Sequence, residues 1–253
     1  MVDATQAVPQ KSLKQWHSPD SRQEVIHELI HGVDRYNPSN LPYMEEYLSS
    51  QIKDGEYDLL ANLAILKLYQ FNPQMSNPEV IINILLKSLS ATVHGPDFNL
   101  CLSLLREPAA ILHDIESDEQ SLITVMPLLQ ELHTLLRTCQ FTAFWKTLNG
   151  DEEGAQILRQ QYLPQQPHLE SSLRILIATS IASCFSRVPI ARLSNWINLS
   201  SSDLSSWSES IGWKVEGDVA VVPKNGDNDV KAGVVKESVE LNQLTKLVSA
   251  AAF

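Results

Sequence analysis

Residues Tyr57 to Pro73 read Tyr-Asp-Leu-Leu-Ala-Asn-Leu-Ala-Ile-Leu-Lys-Leu-Tyr-Gln-Phe-Asn-Pro, and this stretch decides the fold. Asp58 is a good N-cap, because its carboxylate can accept from the free N–H groups of a first helical turn. Pro73 stops the helix, since it disfavours helical geometry at Asn72 and has no N–H to offer. Between them, Leu59 to Phe71 is apolar at ten of thirteen positions. At about 100° per residue those positions run right round the helix, with Asn62, Lys67 and Gln70 scattered among them. A helix apolar on every side is enclosed by neighbours. At thirteen residues it falls short of the roughly 20 that span a bilayer. The expectation is a central helix packed on both sides by other helices.

Helical patterns continue outward from it. Upstream, Val25, Ile26, Leu29, Ile30 and Val33 share one face, and Asn37-Pro38-Ser39-Asn40 breaks that helix before Met44, Tyr47, Leu48 and Ile52. Downstream, Asn77-Pro78 opens a helix carrying Val80, Ile81, Ile84, Leu85 and Leu89. Phe98 to Leu105, Leu122 to Leu136 and the i, i+3, i+4, i+7 set Phe141, Phe144, Trp145 and Leu148 extend the series. With no strand alternation before Trp213, short Asn/Pro/Gly turns joining such helices predict a mainly α, HEAT-like α-solenoid. Gly150 to Pro167 is charged and then Gln/Pro-rich, which reads as a linker.

Beyond it come helices at Leu169 to Phe185, Pro189 to Trp196 and Leu204 to Ile211. A hairpin follows, Trp213-Lys-Val to Val219-Ala-Val-Val222, turning at Gly217. Three helices and a hairpin give the order of a winged helix. The expected organisation is a flexible tail (residues 1–21), a helical-repeat domain (22–165), a winged-helix domain (166–223), and a linker with a C-terminal helix (224–253).

The chain has 253 residues, 43% of them apolar, and a formal charge of −11. Such acidity argues against a general nucleic-acid or anionic-membrane binder. Cys101, Cys139 and Cys184 are far apart and sit in apolar patterns, so they read as buried structural thiols of a reducing compartment. No run reaches the apolar length of a membrane span, nothing at the N-terminus resembles a signal peptide, and a cytoplasmic setting is expected. Asn198-Leu199-Ser200 matches a glycosylation sequon and is expected to go unused.

His27-Glu28-Leu29-Ile30-His31 matches the His-Glu-x-x-His pattern, in which two imidazoles on one helix face hold zinc and the glutamate is general base. A zinc metallopeptidase is therefore one alternative, with Glu45, Glu46 or Glu56 as a possible third ligand. Against it, all three motif residues lie opposite the apolar face, so a solvated helix surface is expected, with no metal or other cofactor. The third helix of the winged helix has no Lys or Arg. Across Val188 to Pro223, Arg192 and Lys214 stand against Asp203, Glu209, Glu216 and Asp218. DNA binding rests on neutralising phosphates, so sequence-specific DNA binding is not expected. Leu241, Leu244, Val248 and Ala251 alternate at spacings of three and four, the stripe of a helix that packs along another. They are the candidate protein-interface residues, and docking on their own domain is the alternative.

An α-solenoid running into a winged helix is similar to the layout of PCI-domain proteins, scaffold subunits of the proteasome lid, the signalosome and translation initiation factor 3. The stretches Val33-Asp-Arg-Tyr-Asn-Pro38, Tyr57 to Pro73, Ile84-Leu-Leu-Lys87, Thr138-Cys-Gln-Phe-Thr-Ala-Phe-Trp145 and Ile211-Gly-Trp213 resemble the k-subunit family of eukaryotic translation initiation factor 3. The likeness runs from about Ile30 to Trp213. It implies a non-catalytic scaffold subunit that pairs with the l subunit through the PCI region and supports small-ribosomal-subunit and messenger-RNA recruitment. A PCI-type subunit of a proteasome-lid or signalosome assembly is the nearest alternative.

Overall fold

A computed structural model describes residues 19–105, 120–229 and 241–251. The expected tail, apart from residues 19–21, lies outside the described residues, as does the linker from residue 230 to 240. The helical stack comprises α1 (Glu24–His31), α2 (Leu41–Asp54), α3 (Leu59–Phe71), α4 (Pro78–Ala91), α5 (Asp97–Leu104), α6 (Gln120–Arg137), α7 (Phe141–Leu148) and α8 (Glu153–Ile157). The winged helix follows as α9 (Leu169–Cys184), β1 (Arg187–Pro189), α10 (Ile190–Ile197), α11 (Ser201–Ser210), β2 (Lys214–Glu216) and β3 (Val219–Val221), with α12 (Leu241–Ala251) at the C-terminal end. The mainly α, PCI-type fold is thus the observed one.

The 59–71 helix starts and stops where the sequence predicts. Asp58 accepts from the Ala61 N–H at 3.1 Å, and Asn72 leaves helical geometry before Pro73. Its enclosure is less complete than the all-round pattern suggests. Ala61, Asn62, Ile65, Leu66 and Leu68 are buried against α1, α2 and α5, whereas Leu60, Leu63, Ala64 and Lys67 are only half-buried and Phe71 is 58% exposed.

The helix with neighbours on every side is α4, which packs on α2, α3, α5, α6 and α9 and buries every residue from Ile81 to Leu89. Local sequence hides this, because Asn83, Lys87 and Ser88 interrupt its apolar run. Each is hydrogen-bonded, so its burial carries no orphaned group. Asn83 accepts from Gln166 at 2.9 Å, Lys87 Nζ donates to the Gln51 carbonyl at 3.1 Å, and the Ser88 hydroxyl donates to the Leu85 carbonyl at 2.8 Å.

The polar positions of α3 are also paired. The Gln51 amide clamps Asn62, donating to its Oδ1 at 3.0 Å, and accepts from the Asp58 N–H at 2.9 Å. Asp58 accepts in addition from Arg22 (2.5 and 2.6 Å) and from the Tyr47 hydroxyl (3.2 Å), in a site where both side chains of the ion pair are almost wholly buried. Burial, and after it the Asp58 charge, push the Tyr47 hydroxyl well above its ordinary pKa.

Within the stretch 150–167, read as a linker, residues 153–165 are helical. α8 continues through a π-turn at Leu158–Tyr162 and a 3-10 turn at Leu163–Gln165, burying Ala155, Leu158 and Tyr162. Gly154 makes the approach possible, since a Cβ there would meet the Thr124 carbonyl of α6 at 2.9 Å. The Gln/Pro composition disguised tertiary contacts. Gln165 and Gln166 are the residues that reach α4, with Gln165 Nε2 donating to Glu79 at 2.8 Å.

In the winged helix, the three-residue strand β1 was not legible. It lies antiparallel to β3 in the order β1-β3-β2, so β3 is central and the sheet has three strands where a hairpin was expected. The cysteine reading holds at one position of three. Cys101 is buried, its thiol pushed up to about 12 by burial, whereas Cys139 and Cys184 are exposed. Both exposed cysteines sit at helix C-termini, Cys184 as the last residue of α9 and Cys139 two residues past α6 with a positive φ of 57°.

Candidate protein-interaction surfaces

The first helix presents Ile26 and Ile30 inward, with Leu29 half-buried. Val25 and Val33, expected on the same face, are 61% and 89% exposed; α1 ends at His31, and Val33 opens a separate 3-10 turn, while Val25 sits in the first turn of α1 outside the Ile26/Ile30 contact. His27, Glu28 and His31 all face solvent, and the two imidazoles stand edge to face with centroids 4.3 Å apart. Among the described residues, no third His, Cys, Asp or Glu joins them in a metal-holding group. Of the carboxylates considered as third ligand, Glu45 is engaged elsewhere, accepting from the Tyr69 hydroxyl. The motif on this helix is a solvated surface.

The C-terminal stripe stands open. Leu241, Leu244 and Val248 are 80%, 47% and 66% exposed, and Ala251 is exposed with them. Three apolar side chains are thus aligned and exposed on an eleven-residue helix, and burying each would be worth about 1–3 kcal/mol.

The sheet offers a second surface. β1 covers the β3 edge that a two-stranded hairpin would leave bare, so the outward edges are those of β1 and β2. Pro189 removes a donor from β1, while Lys214 and Glu216 on β2 are exposed, the latter accepting from Arg187 at 3.3 Å. Helix α11 carries no cation. Leu204 and Ser208 are buried and Trp207 packs partly against the core, so that ring is a packing group. A shallow cleft between α7 and the α10–α11 turn is lined by Lys146, Asn149, Asn195, Asn198 and Ser200, with Asn198 in the left-handed conformation that turns the chain.

Sequence reasoning missed one surface altogether. Phe71 counted as core, yet with Tyr36 it forms an exposed aromatic pair at the N-terminal end of the stack. The available signal was position, since Phe71 closes its helix one residue before Asn72-Pro73.

Among the described residues no helix is long and apolar enough to cross a membrane. Residues 75–233 match the sequence model of the CSN8/PSMD8/EIF3K family. A protein of Cryptococcus neoformans var. neoformans serotype D named eukaryotic translation initiation factor 3 subunit K is 62% identical over 247 residues, which is 98% of this chain and 99% of that protein. Proteins of the same name from Mycosarcoma maydis (37% identical; 95% of each chain) and Botryotinia fuckeliana (35%; 93% of this chain and 96% of the other) are also similar.

Proposed function

The chain belongs to the CSN8/PSMD8/EIF3K family, and from that membership we infer that it is a non-catalytic scaffold subunit of eukaryotic translation initiation factor 3. Its partners are the other subunits of that complex. The near full-length likeness to proteins named as subunit K supports this reading over the proteasome-lid and signalosome alternatives. Within the complex, the l subunit is the neighbour proposed for the PCI region, and the assembly is the route to the small ribosomal subunit and messenger RNA in the cytoplasm.

The observation that supports assembly at the C-terminal end is the exposed apolar stripe of Leu241, Leu244 and Val248. Left in water these side chains forgo several kcal/mol of apolar burial, and a partner helix would recover it. The acidic winged helix supplies the rest of the surface through its β2 edge.

A chain ending at Asp229 tests this. By circular dichroism it should keep its helical signal, since the stack and winged helix are built without α12. In a pull-down of tagged protein from its own cells it should lose the other subunits, as should Leu244→Glu/Val248→Glu in the full chain. Undiminished recovery with both would place the interface elsewhere.

A further inference from the structure

We propose that Arg35, Tyr36, Lys67 and Phe71 form a docking surface for a short acidic, apolar-bearing segment of a partner protein. The surface lies at the end of the stack remote in sequence from α12, and it stands whether or not the C-terminal helix is the assembly seam.

The 3-10 turn Val33–Tyr36 packs against α3, which brings Tyr36 beside Phe71 with ring centroids 6.2 Å apart at 63°. Both rings are open to solvent, Tyr36 at 50% and Phe71 at 58%. Val33, in the same 3-10 turn, and Met75, four residues past Phe71, are exposed as well. The Arg35 guanidinium sits 4.6 Å from the Tyr36 ring centre, and Lys67 Nζ sits 4.8 Å from that of Phe71. Among the described residues neither cation pairs with a carboxylate, Asp34 of the same turn included. In a chain where 30 acidic residues face 19 basic ones, these two cations stand over exposed rings without a carboxylate partner among the described residues, Lys67 Nζ donating instead to the neutral Gln70 side chain at 2.7 Å.

That combination selects the occupant. Opposite charge favours carboxylates over Arg35 and Lys67, and the exposed Tyr36 and Phe71 rings give an aliphatic or aromatic side chain apolar surface to pack on. Single-stranded RNA fits less well. A stacking platform needs open ring faces, and here each ring already has a cation over one face while the two rings meet edge to face. The acidic remainder of the chain also repels a polyanion. A short protein segment bearing one or two carboxylates beside an apolar residue meets far less of that repulsion than a polyanion does.

The test places the photo-crosslinker p-benzoylphenylalanine at position 71 of the full-length chain, expressed in its own cells and purified as the complex. After irradiation, the crosslinked segment is sequenced by mass spectrometry. The expected product is a short, net-acidic peptide with one or two Asp or Glu residues beside at least one large apolar residue. Arg35→Glu/Lys67→Glu should reduce its yield about tenfold or more, while circular dichroism and recovery of the other subunits stay unchanged. A crosslink to RNA, to a neutral or basic peptide, or to nothing would overturn the proposal, as would a yield indifferent to the charge reversal.

Discussion

The indole N–H of Trp145, on α7 of the helical stack, donates to the main-chain carbonyl of Trp196, on α10 of the winged helix, across 2.9 Å. Arg174 of α9 stands 5.5 Å over the Trp145 ring and donates to the Ile197 carbonyl at 3.3 Å. Phe141 and Phe185 both pack on the Trp196 ring, from opposite units. With α9 also packed on α4, the two units share one core.

Trp145→Phe keeps most of the packing and removes the donor, so it should lower stability by about 1 kcal/mol. Trp145→Ala, which empties a buried site, should cost about 3–5 kcal/mol. Urea unfolding followed by far-UV circular dichroism separates the two. Equal losses would show that the hydrogen bond, not the ring, holds the junction.

Asp58 does three jobs from one buried position: it caps α3, it faces the Arg22 guanidinium, and it accepts from Tyr47. Asp58→Ala removes the counter-charge of a guanidinium that is itself buried, which should cost about 3–5 kcal/mol. The double variant Arg22→Leu/Asp58→Asn, which takes out both charges and retains a capping oxygen, should recover most of that loss. A double-mutant cycle in denaturant reads the coupling, and additive losses would mean the pair is merely adjacent.

Two aliphatic positions of α3 should behave differently. Ile65 is fully buried, so Ile65→Ala should cost about 2–5 kcal/mol. Leu63 lies on the half-open face and should lose about 1 kcal/mol when truncated, in keeping with its partial burial. A Leu63 loss as large as that at Ile65 would restore the picture of a helix enclosed on all sides.

His133 is buried and stacked on Phe98, centroids 4.4 Å apart and planes 18° from parallel. Burial, and then the Arg137 charge, lower its pKa in the folded protein. The unfolded chain therefore takes up this proton first as pH falls. The stabilising contribution is complete above the unfolded value of about 6.5 and is lost as pH drops through it toward the folded value. His133→Phe should keep the stack and flatten the fall in denaturant midpoint between about pH 7.5 and pH 5.5. An unchanged slope would assign that pH dependence to other groups.

Much of this was legible in the residues. Asp58 and Asn72-Pro73 bound α3 through main-chain geometry, which local sequence controls, and the spacing of Phe141, Phe144, Trp145 and Leu148 named four residues that are all buried. The exposure of His27, Glu28 and His31 followed from their place opposite Ile26 and Ile30. The strand β1 was not legible, because three residues containing Pro189 carry no alternation and become a strand only by pairing with β3. Nor was the helical course of 153–165, whose glutamines look like linker until Gln166 is seen donating to Asn83, far away in the chain.

The sequence by itself determined the boundaries of α3, the order of the winged helix and the acidic, cation-poor face of α11, since capping, periodicity and charge are properties of residues close together in the chain. Tertiary structure decided which helix is enclosed. α3 has the more continuous apolar run, but α4 is the one surrounded, because Gln51 and Gln166 satisfy the polar groups that break its pattern. Burial is set by neighbours in space, and a polar side chain enters a core when a distant residue completes its hydrogen bonds. The same rule in reverse left Phe71 on the surface: it ends its helix where no later segment among the described residues covers it, and there it meets Tyr36.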